Sequence, residues 1–330
     1  MKYLIFNLLA ISLMISSCGN KGDNDLGSIE KINAVLKQDP SDTAALYARA
    51  KYYVAAGKAD SALTDMKQLT AIDSSRSGYF VTLADIYLMK NITRLTRQEL
   101  EHAIKLDPDN KDAHMKLAEL FLFVKMGQQS LDEINEVIKL EKHNPKAYFL
   151  KGMVYKESGD TALAISSFFT ATEQDPNYAS AYEQLGLIYA AKHDKRAIDF
   201  YQNALKANPK NSVVRYNMGY FFQQHGELEK AMTVYDELIQ SDPSFANAHY
   251  NKGYILSEYL EKPSEAIPYF LEAARQNPRY AEAVYMVGLC NERLGNREQA
   301  ITEYTASLKI NPRFELSRNA LSRLGAKEPG

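Results

Sequence analysis

The chain has 330 residues, 45% apolar and 24% charged, with 39 basic against 41 acidic side chains and a formal net charge of -2. No clustered basic face is present, and a polyphosphate partner needs one, so nucleic acid is excluded as a ligand class. Two cysteines, six histidines and no tryptophan leave little material for disulfide, metal or indole chemistry.

The N-terminus reads as a targeting segment. Lys2 gives a positive start, and Leu4 to Ile15 is an apolar run interrupted only by Asn7 and Ser12. Twelve residues are too few to span a bilayer, which takes ~20 in a helix, so residues 1–17 are expected to be a signal peptide. Ile15-Ser16-Ser17-Cys18 then resembles the lipobox of bacterial lipoproteins, whose cysteine is acylated and becomes the first mature residue. The resemblance implies a lipid anchor on Cys18, a polar linker through residue 27, and a place in the bacterial cell envelope, on the periplasmic or surface face of an outer membrane. An ordinary signal peptide with an incidental cysteine is the plainer alternative. Cys290, left without an intramolecular partner, is expected to be a buried core residue.

From residue 28 onward the chain is periodic. Ser28 is placed as the N-cap of a short helix striped by Ile32, Val35 and Leu36, a leading half-repeat over 28–42. Proline then recurs at Pro40, Pro108, Pro176, Pro209, Pro243, Pro278 and Pro312, with gaps of 68, 68, 33, 34, 35 and 34. Ser74 and Lys142 fill the two missing positions of a 34-residue period. Ten residues after each comes a tiny residue: Ala50, Ala84, Ala118, Gly152, Gly186, Gly219, Gly253 and Gly288. A second small column runs Ala62, Thr96, Ser130, Ala164, Ala197, Ala231, Ala266 and Ala300, and a large one lies four residues on: Met66, Leu100, Ile134, Phe168, Tyr201, Tyr235, Phe270 and Tyr304. Two antiparallel helices cross closely only where the contact residue is small, with large residues filling the space beside it. A glycine in the short turn between them, as in Ser158-Gly159-Asp160 or His225-Gly226-Glu227, caps the first helix in the left-handed region.

These columns resemble the tetratricopeptide repeat; Tyr182, Leu185, Gly186, Tyr189, Ala197, Tyr201, Ala204 and Pro209 match its motif nearly completely. The resemblance implies an all-α, right-handed solenoid of tandem helix-turn-helix repeats, at 43–76, 77–110, 111–144, 145–178, 179–211, 212–245, 246–280 and 281–314, followed by a capping helix and tail over 315–330. The fifth repeat is one residue short and the seventh one residue long; both changes are expected in the turn between the helices. On that reading the second helix of repeat seven starts near Ser264, which keeps Pro268 close to its first turn. Repeats two and three depart most, with Thr96 and Ser130 in the alanine column.

No residues remain for a catalytic domain. HExxH, GxxxxGK[ST], GxGxxG, GxSxG and CxxC are absent, and no histidine stands at metal-ligand spacing to another histidine or cysteine. Neither catalytic residues, metal nor cofactor is expected. In the family, the first helix of each repeat lines a groove that binds protein partners or extended peptides. Some relatives hold a chaperone's C-terminal carboxylate there with basic residues; after Asn217 and Asn251 this chain offers Glu282 and Met286 instead, which argues against that partner. Two groove features stand out. Gln184, Asn217 and Asn251 form an amide ladder at repeat spacing, able to donate to and accept from a peptide backbone. Tyr216, Tyr220, Tyr250, Tyr254 and Tyr285 offer contact area with polar tips, unless they pack between repeats instead. The sequence therefore reads as a membrane-anchored, non-enzymatic scaffold. A glycan-binding lipoprotein, disfavoured by the lack of tryptophan and of insertions, and a self-assembling envelope protein are the alternatives.

Overall fold

The computed structural model describes residues 28–327. The expected signal peptide, Cys18 and its linker, and residues 328–330 lie outside the described residues. All regular structure among the described residues is helical, and no helix there is long and apolar enough to cross a membrane.

Two compact units divide between Ser158 and Gly159. The N-terminal unit holds α1 (Ile29–Gln38), α2 (Thr43–Ala55), α3 (Ala59–Ile72), α4 (Ser77–Met89), α5 (Thr93–Leu106), α6 (Lys111–Phe123), α7 (Gly127–Leu140) and α8 (Pro145–Glu157). The C-terminal unit holds α9 (Thr161–Gln174), α10 (Ala179–Ala191), α11 (Arg196–Ala207), α12 (Ser212–Gln224), α13 (Leu228–Ser241), α14 (Ala246–Tyr254, continued as a π-helical turn over Ile255–Tyr259), α15 (Pro263–Gln276), α16 (Ala281–Arg293), α17 (Arg297–Ile310) and α18 (Glu315–Arg323).

Local chemistry sets the helix starts. Ser28, Asp42, Asn110 and Asn144 in the first unit, and Asp160 and Asn211 in the second, each accept a hydrogen bond from the backbone N–H three residues on. Each pair's first helix ends the same way, on a residue with positive φ. Gly57, Gly159, Gly226 and Gly295 fill four of these turns, while Asn91, Lys125, His193 and Glu261 fill the other four. A second recurring device joins helix to loop. In first helices the fourth-position side chain reaches back to a carbonyl six residues earlier: His114 Nε2 to Pro108, Arg215 to Pro209, His249 Nε2 to Pro243 and Arg318 to Pro312.

The small column sits where the two helices of a pair cross. A Cβ built on Gly186 would lie 2.5 Å from the Tyr201 ring, on Gly219 or Gly288 2.8 Å from Tyr235 or Tyr304, and on Gly253 3.0 Å from Phe270. Where alanine replaces glycine, the partner is aliphatic: Ala50 with Met66, Ala84 with Leu100 and Ala118 with Ile134, all at most 1% exposed. Thr96 and Ser130 keep the second small column by turning their hydroxyls onto backbone carbonyls, of Ile92 at 3.1 Å and Ala118 at 2.8 Å.

The two irregular repeats differ from expectation. First helices are otherwise 13 residues and second helices 14. In repeat five the loss falls on the second helix, since α11 has 12 residues and the turn before it lengthens. In repeat seven the extra residue widens the end of α14 into the π-turn, and the turn keeps its length. The long side chain of Arg293 clamps that π-turn, donating to the Ser257 carbonyl, the Ser257 hydroxyl and both Glu258 oxygens. Consequently α15 starts at Pro263, and Pro268 is an interior residue, not a first-turn one. Pro268 and Ser264 are both exposed, so water can bond the carbonyl that the missing N–H leaves free.

Candidate functional site

All eight groove residues named from the sequence lie in the C-terminal unit, on α10, α12, α14 and α16. Within that unit α10 touches α12 and α12 touches α14. The first helices α10, α12 and α14 thus approach each other directly.

The five tyrosines separate into two registers with different fates. Tyr216, Tyr250 and Tyr285 stand at the fifth position of their helices, and each is wedged between two rings. Tyr216 meets Tyr235 at 6.3 Å and Phe245 at 5.4 Å; Tyr250 meets Phe270 at 5.5 Å and Tyr280 at 4.9 Å; Tyr285 meets Tyr304 at 5.4 Å and Phe314 at 5.5 Å. One ring of each set comes from the same pair's second helix and the other caps the next first helix. These three tyrosines therefore join consecutive pairs as an aromatic mortar, and burial pushes their hydroxyls above the usual tyrosine range. The sequence carried a signal for this that the columns above did not use: an aromatic follows the proline by two residues at Tyr178, Phe245, Tyr280 and Phe314.

Tyr220 and Tyr254 lie one turn further on; Tyr220 opens to solvent, whereas Tyr254 packs against the core around Phe270 and Met286. Tyr220 is 42% exposed and Tyr254 half-buried. Each stacks on the wedged tyrosine four residues before it, Tyr220 on Tyr216 at 6.1 Å and 11°, Tyr254 on Tyr250 at 6.2 Å and 26°. Tyr259, which the sequence reading did not single out, is exposed and meets Tyr254 edge-on at 6.1 Å and 67°. It is the last residue of the π-turn.

The amide ladder is uneven. Asn251 is only 7% exposed, and its Nδ2 donates to the hydroxyls of Tyr235 at 3.0 Å and Tyr216 at 3.3 Å, while Tyr235 donates to Gln223 Oε1 at 2.8 Å. Both amide hydrogens are committed to the protein, so Asn251 cannot donate to a peptide. Asn217 is half-buried and makes no side-chain hydrogen bond with the described residues. It is the open rung. Gln184 is half-buried on α10, with interactions of its own within the protein.

Charges on this side are largely neutralised in place. Asn211 donates to Glu183 at 3.1 Å, and Lys252 pairs with Asp236 and lies over the Tyr269 ring. Burial works against the Glu258 carboxylate, yet the bonds from Arg293 and Ser257 hold it below the usual range. Arg323 on α18 does the same for Glu292, helped by the Tyr304 hydroxyl at 2.6 Å. Glu282 is exposed and makes no ion pair with the described residues.

Sequence models of the tetratricopeptide repeat match residues 149–212 and 258–313, and further models of the same repeat match 200–233 and 221–258. This is a tetratricopeptide-repeat protein. Photosystem I assembly protein Ycf3 of Synechococcus sp. (strain CC9902) is 32% identical over 85 residues, 24% of this chain and 49% of that protein. The chain thus spans about half the length of the curated relative it matches. Among solved structures, a tetratricopeptide repeat protein from Parabacteroides merdae superposes with a TM-score of 0.52 at 15% identity, over 76% of this chain and 99% of that one. MamA from Desulfovibrio magneticus RS-1 gives a TM-score of 0.47 at 18% identity, over 52% and 97%. The first of these likenesses supports the helical-repeat fold. On the first-helix side, the Tyr220 and Tyr259 rings and the Asn217 amide remain open.

Proposed function

We infer that this chain is a non-enzymatic scaffold, anchored to a bacterial membrane through an acylated Cys18, that holds an extended segment of a protein partner along the first-helix side of its C-terminal unit. One observation carries the reading. Tyr220, Tyr254 and Asn217 present two supported aromatic rings and an uncommitted amide on touching helices, whereas Asn251, Lys252 and Glu258 are committed within the fold. Large, stiff amphipathic rings with a free amide suit backbone-level recognition of a polypeptide. The repeats supply the frame and contribute no reacting group.

A photo-crosslinking residue at Tyr220 is expected to capture a polypeptide from membrane extract, and the same residue at Glu237, exposed on α13, is not. Capture through Glu237 alone would overturn the groove reading. The anchor has its own test: Cys18→Ala should abolish palmitate labelling and membrane pelleting, and continued labelling would refute acylation at that residue.

A further inference from the structure

We propose that the edge of the N-terminal unit formed by the turns between paired helices lies against an anionic lipid surface; the proposal rests on the Cys18 anchor read above and adds a second, non-covalent contact to it. Three observations lead there. The first is where the chain enters the fold. Four residues join α1 to α2, and the two helices run antiparallel, with Arg49 of α2 bonded to Asn33 of α1 at 3.1 Å. The start of α1 therefore lies at the same end as the close of α2, where the turn to α3 stands. Neighbouring turns share that edge: Lys90, just after α4, pairs with Asp60 in the first turn of α3. Residues 18–27 separate Cys18 from the fold, and ten residues reach ~33–36 Å at most. An acylated Cys18 thus holds this edge within that reach of the bilayer.

The second is apolar exposure at the edge. α4 ends on Leu88 and Met89, and α6 ends on Phe123, followed by Val124; all four are exposed. Phe123, at 67%, is the most exposed large apolar side chain among the described residues. α8, the next first helix of the unit, ends on Lys156 and Glu157, so the patch stops there.

The third is charge. In the first three pairs, from the last two residues of the first helix through the first two of the second, the edge carries Lys58, Lys90, Arg94 and Lys125 against one carboxylate, Asp60. Asp60 is taken by Lys90, while Lys58, Arg94 and Lys125 make no ion pair with the described residues. The opposite edge of the unit also exposes apolar helix ends, Ile72, Leu106 and Leu140, but each is followed by a carboxylate, Asp73, Asp107 and Glu141. Cationic stems beside apolar side chains suit the headgroup boundary, where the apolar groups enter the acyl region and the cations meet lipid phosphates. A second copy docked through the same edge would set these cations against their like.

The chain has no tryptophan, so Phe123→Trp gives a lone fluorescent reporter at an exposed site. The full-length protein carrying it is mixed with vesicles of equal parts phosphatidylglycerol and phosphatidylcholine, with and without bromine on the acyl chains. Its emission should shift to shorter wavelength and fall by more than half with bromolipid. Ile72→Trp, on the opposite edge of the same unit, should show neither change. Adding Lys58→Glu with Arg94→Glu to Phe123→Trp should recover most of the lost emission, while the protein still pellets with the vesicles. Emission from Phe123→Trp that ignores bromolipid, or equal quenching at Ile72→Trp, would overturn the proposal. So would a blue shift without quenching, the sign of an edge covered by protein. If the protein pellets and labels with palmitate but Phe123→Trp is not quenched, the edge contact fails and the anchor stands. If labelling is absent and Phe123→Trp is still quenched, the anchor fails and the edge contact stands.

Discussion

The two units solve one packing problem with different side chains. In the N-terminal unit the helix crossing pairs alanine with an aliphatic residue, as at Ala84 and Leu100. In the C-terminal unit it pairs glycine with a ring, as at Gly186 and Tyr201. A flat ring lying against a helix backbone needs the space of a missing Cβ, whereas a branched aliphatic chain tolerates the methyl. The choice spreads outward. Rings at the crossing create the neighbours against which Tyr216, Tyr250 and Tyr285 wedge, and the first two of these support the rings of Tyr220 and Tyr254. The N-terminal unit keeps one such ring contact, Tyr47 on Tyr79 at 4.9 Å, and adds ion pairs on its first helices: Arg49 bonds Asp65 through two nitrogens at 2.7 and 2.8 Å, and Lys116 bonds Asp85 at 2.8 Å. Aromatic mortar thus leaves supported rings, Tyr220 and Tyr254, as a by-product of packing.

The largest expected effect breaks this difference at its tightest point. Gly186→Ala places a methyl 2.5 Å from a Tyr201 ring carbon, and should destabilise the C-terminal unit by ~1–3 kcal/mol through overpacking. Tyr201→Leu alone removes a fully buried ring and should cost ~2–5 kcal/mol. The double variant recreates the alanine–aliphatic pairing of the other unit, so its cost should fall below the sum of the two by at least ~1 kcal/mol. Urea melts of the four proteins measure this, and strict additivity would mean that ring and glycine do not select each other.

Much of this architecture was legible because helical repeats write each contact at a fixed spacing. The small and large columns gave the fold, and the turn glycines gave their left-handed caps. Three things were hidden. The gain and loss of one residue fell inside α14 and α11, because a helix can absorb a residue as a π-turn or by starting late, and periodicity cannot tell either from a loop change. Asn251 resembled Asn217 in register, yet only three-dimensional packing brings the Tyr216 and Tyr235 hydroxyls onto its amide. The fifth-position tyrosines looked like ligand contacts, since a ring wedged between repeats and a ring facing a groove have the same spacing. Thr96 and Ser130 weakened the pattern in the N-terminal unit without weakening the structure, as their hydroxyls find backbone carbonyls nearby.

A second comparison concerns histidines in one register. His114 and His249 both face a proline carbonyl through Nε2, at 2.9 and 3.0 Å. His114 also has Glu133 on Nδ1 at 2.6 Å, whereas Nδ1 of His249 is buried without a partner. Two acceptors favour the doubly protonated ring. Glu133 foremost, then the Pro108 carbonyl and the field of Glu136, raise the His114 pKa although burial opposes it. Because the folded value lies above the unfolded one of ~6.5, the stabilisation is complete below that pH and is lost as pH rises through the raised value. Hydrogen exchange of α6 and α7 amides should therefore quicken, beyond its intrinsic base dependence, as pH climbs from 6 to 8.5. His114→Gln should remove that excess. An identical excess in the variant would assign the effect to another group.

The smallest expected effect isolates the backbone. Every turn between paired helices needs a positive φ at its middle residue, and the N-terminal unit meets that need with Asn91 and Lys125 as well as Gly57. Gly226, at φ 73, has nothing within 4 Å of where a Cβ would stand. Gly226→Ala therefore introduces conformational strain without a clash, and should cost about 1 kcal/mol. Lys125, at φ 61, already bears that strain. Lys125→Gly relieves it, but it also frees the unfolded chain by ~0.5–1 kcal/mol, so the net change should be a few tenths of a kcal/mol in either direction. The asymmetry is the useful quantity. A glycine lost from the turn should hurt measurably, while a glycine gained there should hardly register, and denaturation midpoints at unchanged slope would show both. If Gly226→Ala proved as silent as Lys125→Gly, then the turn would be relaxing out of the left-handed region, and the glycines would mark the repeat without holding its helices in register.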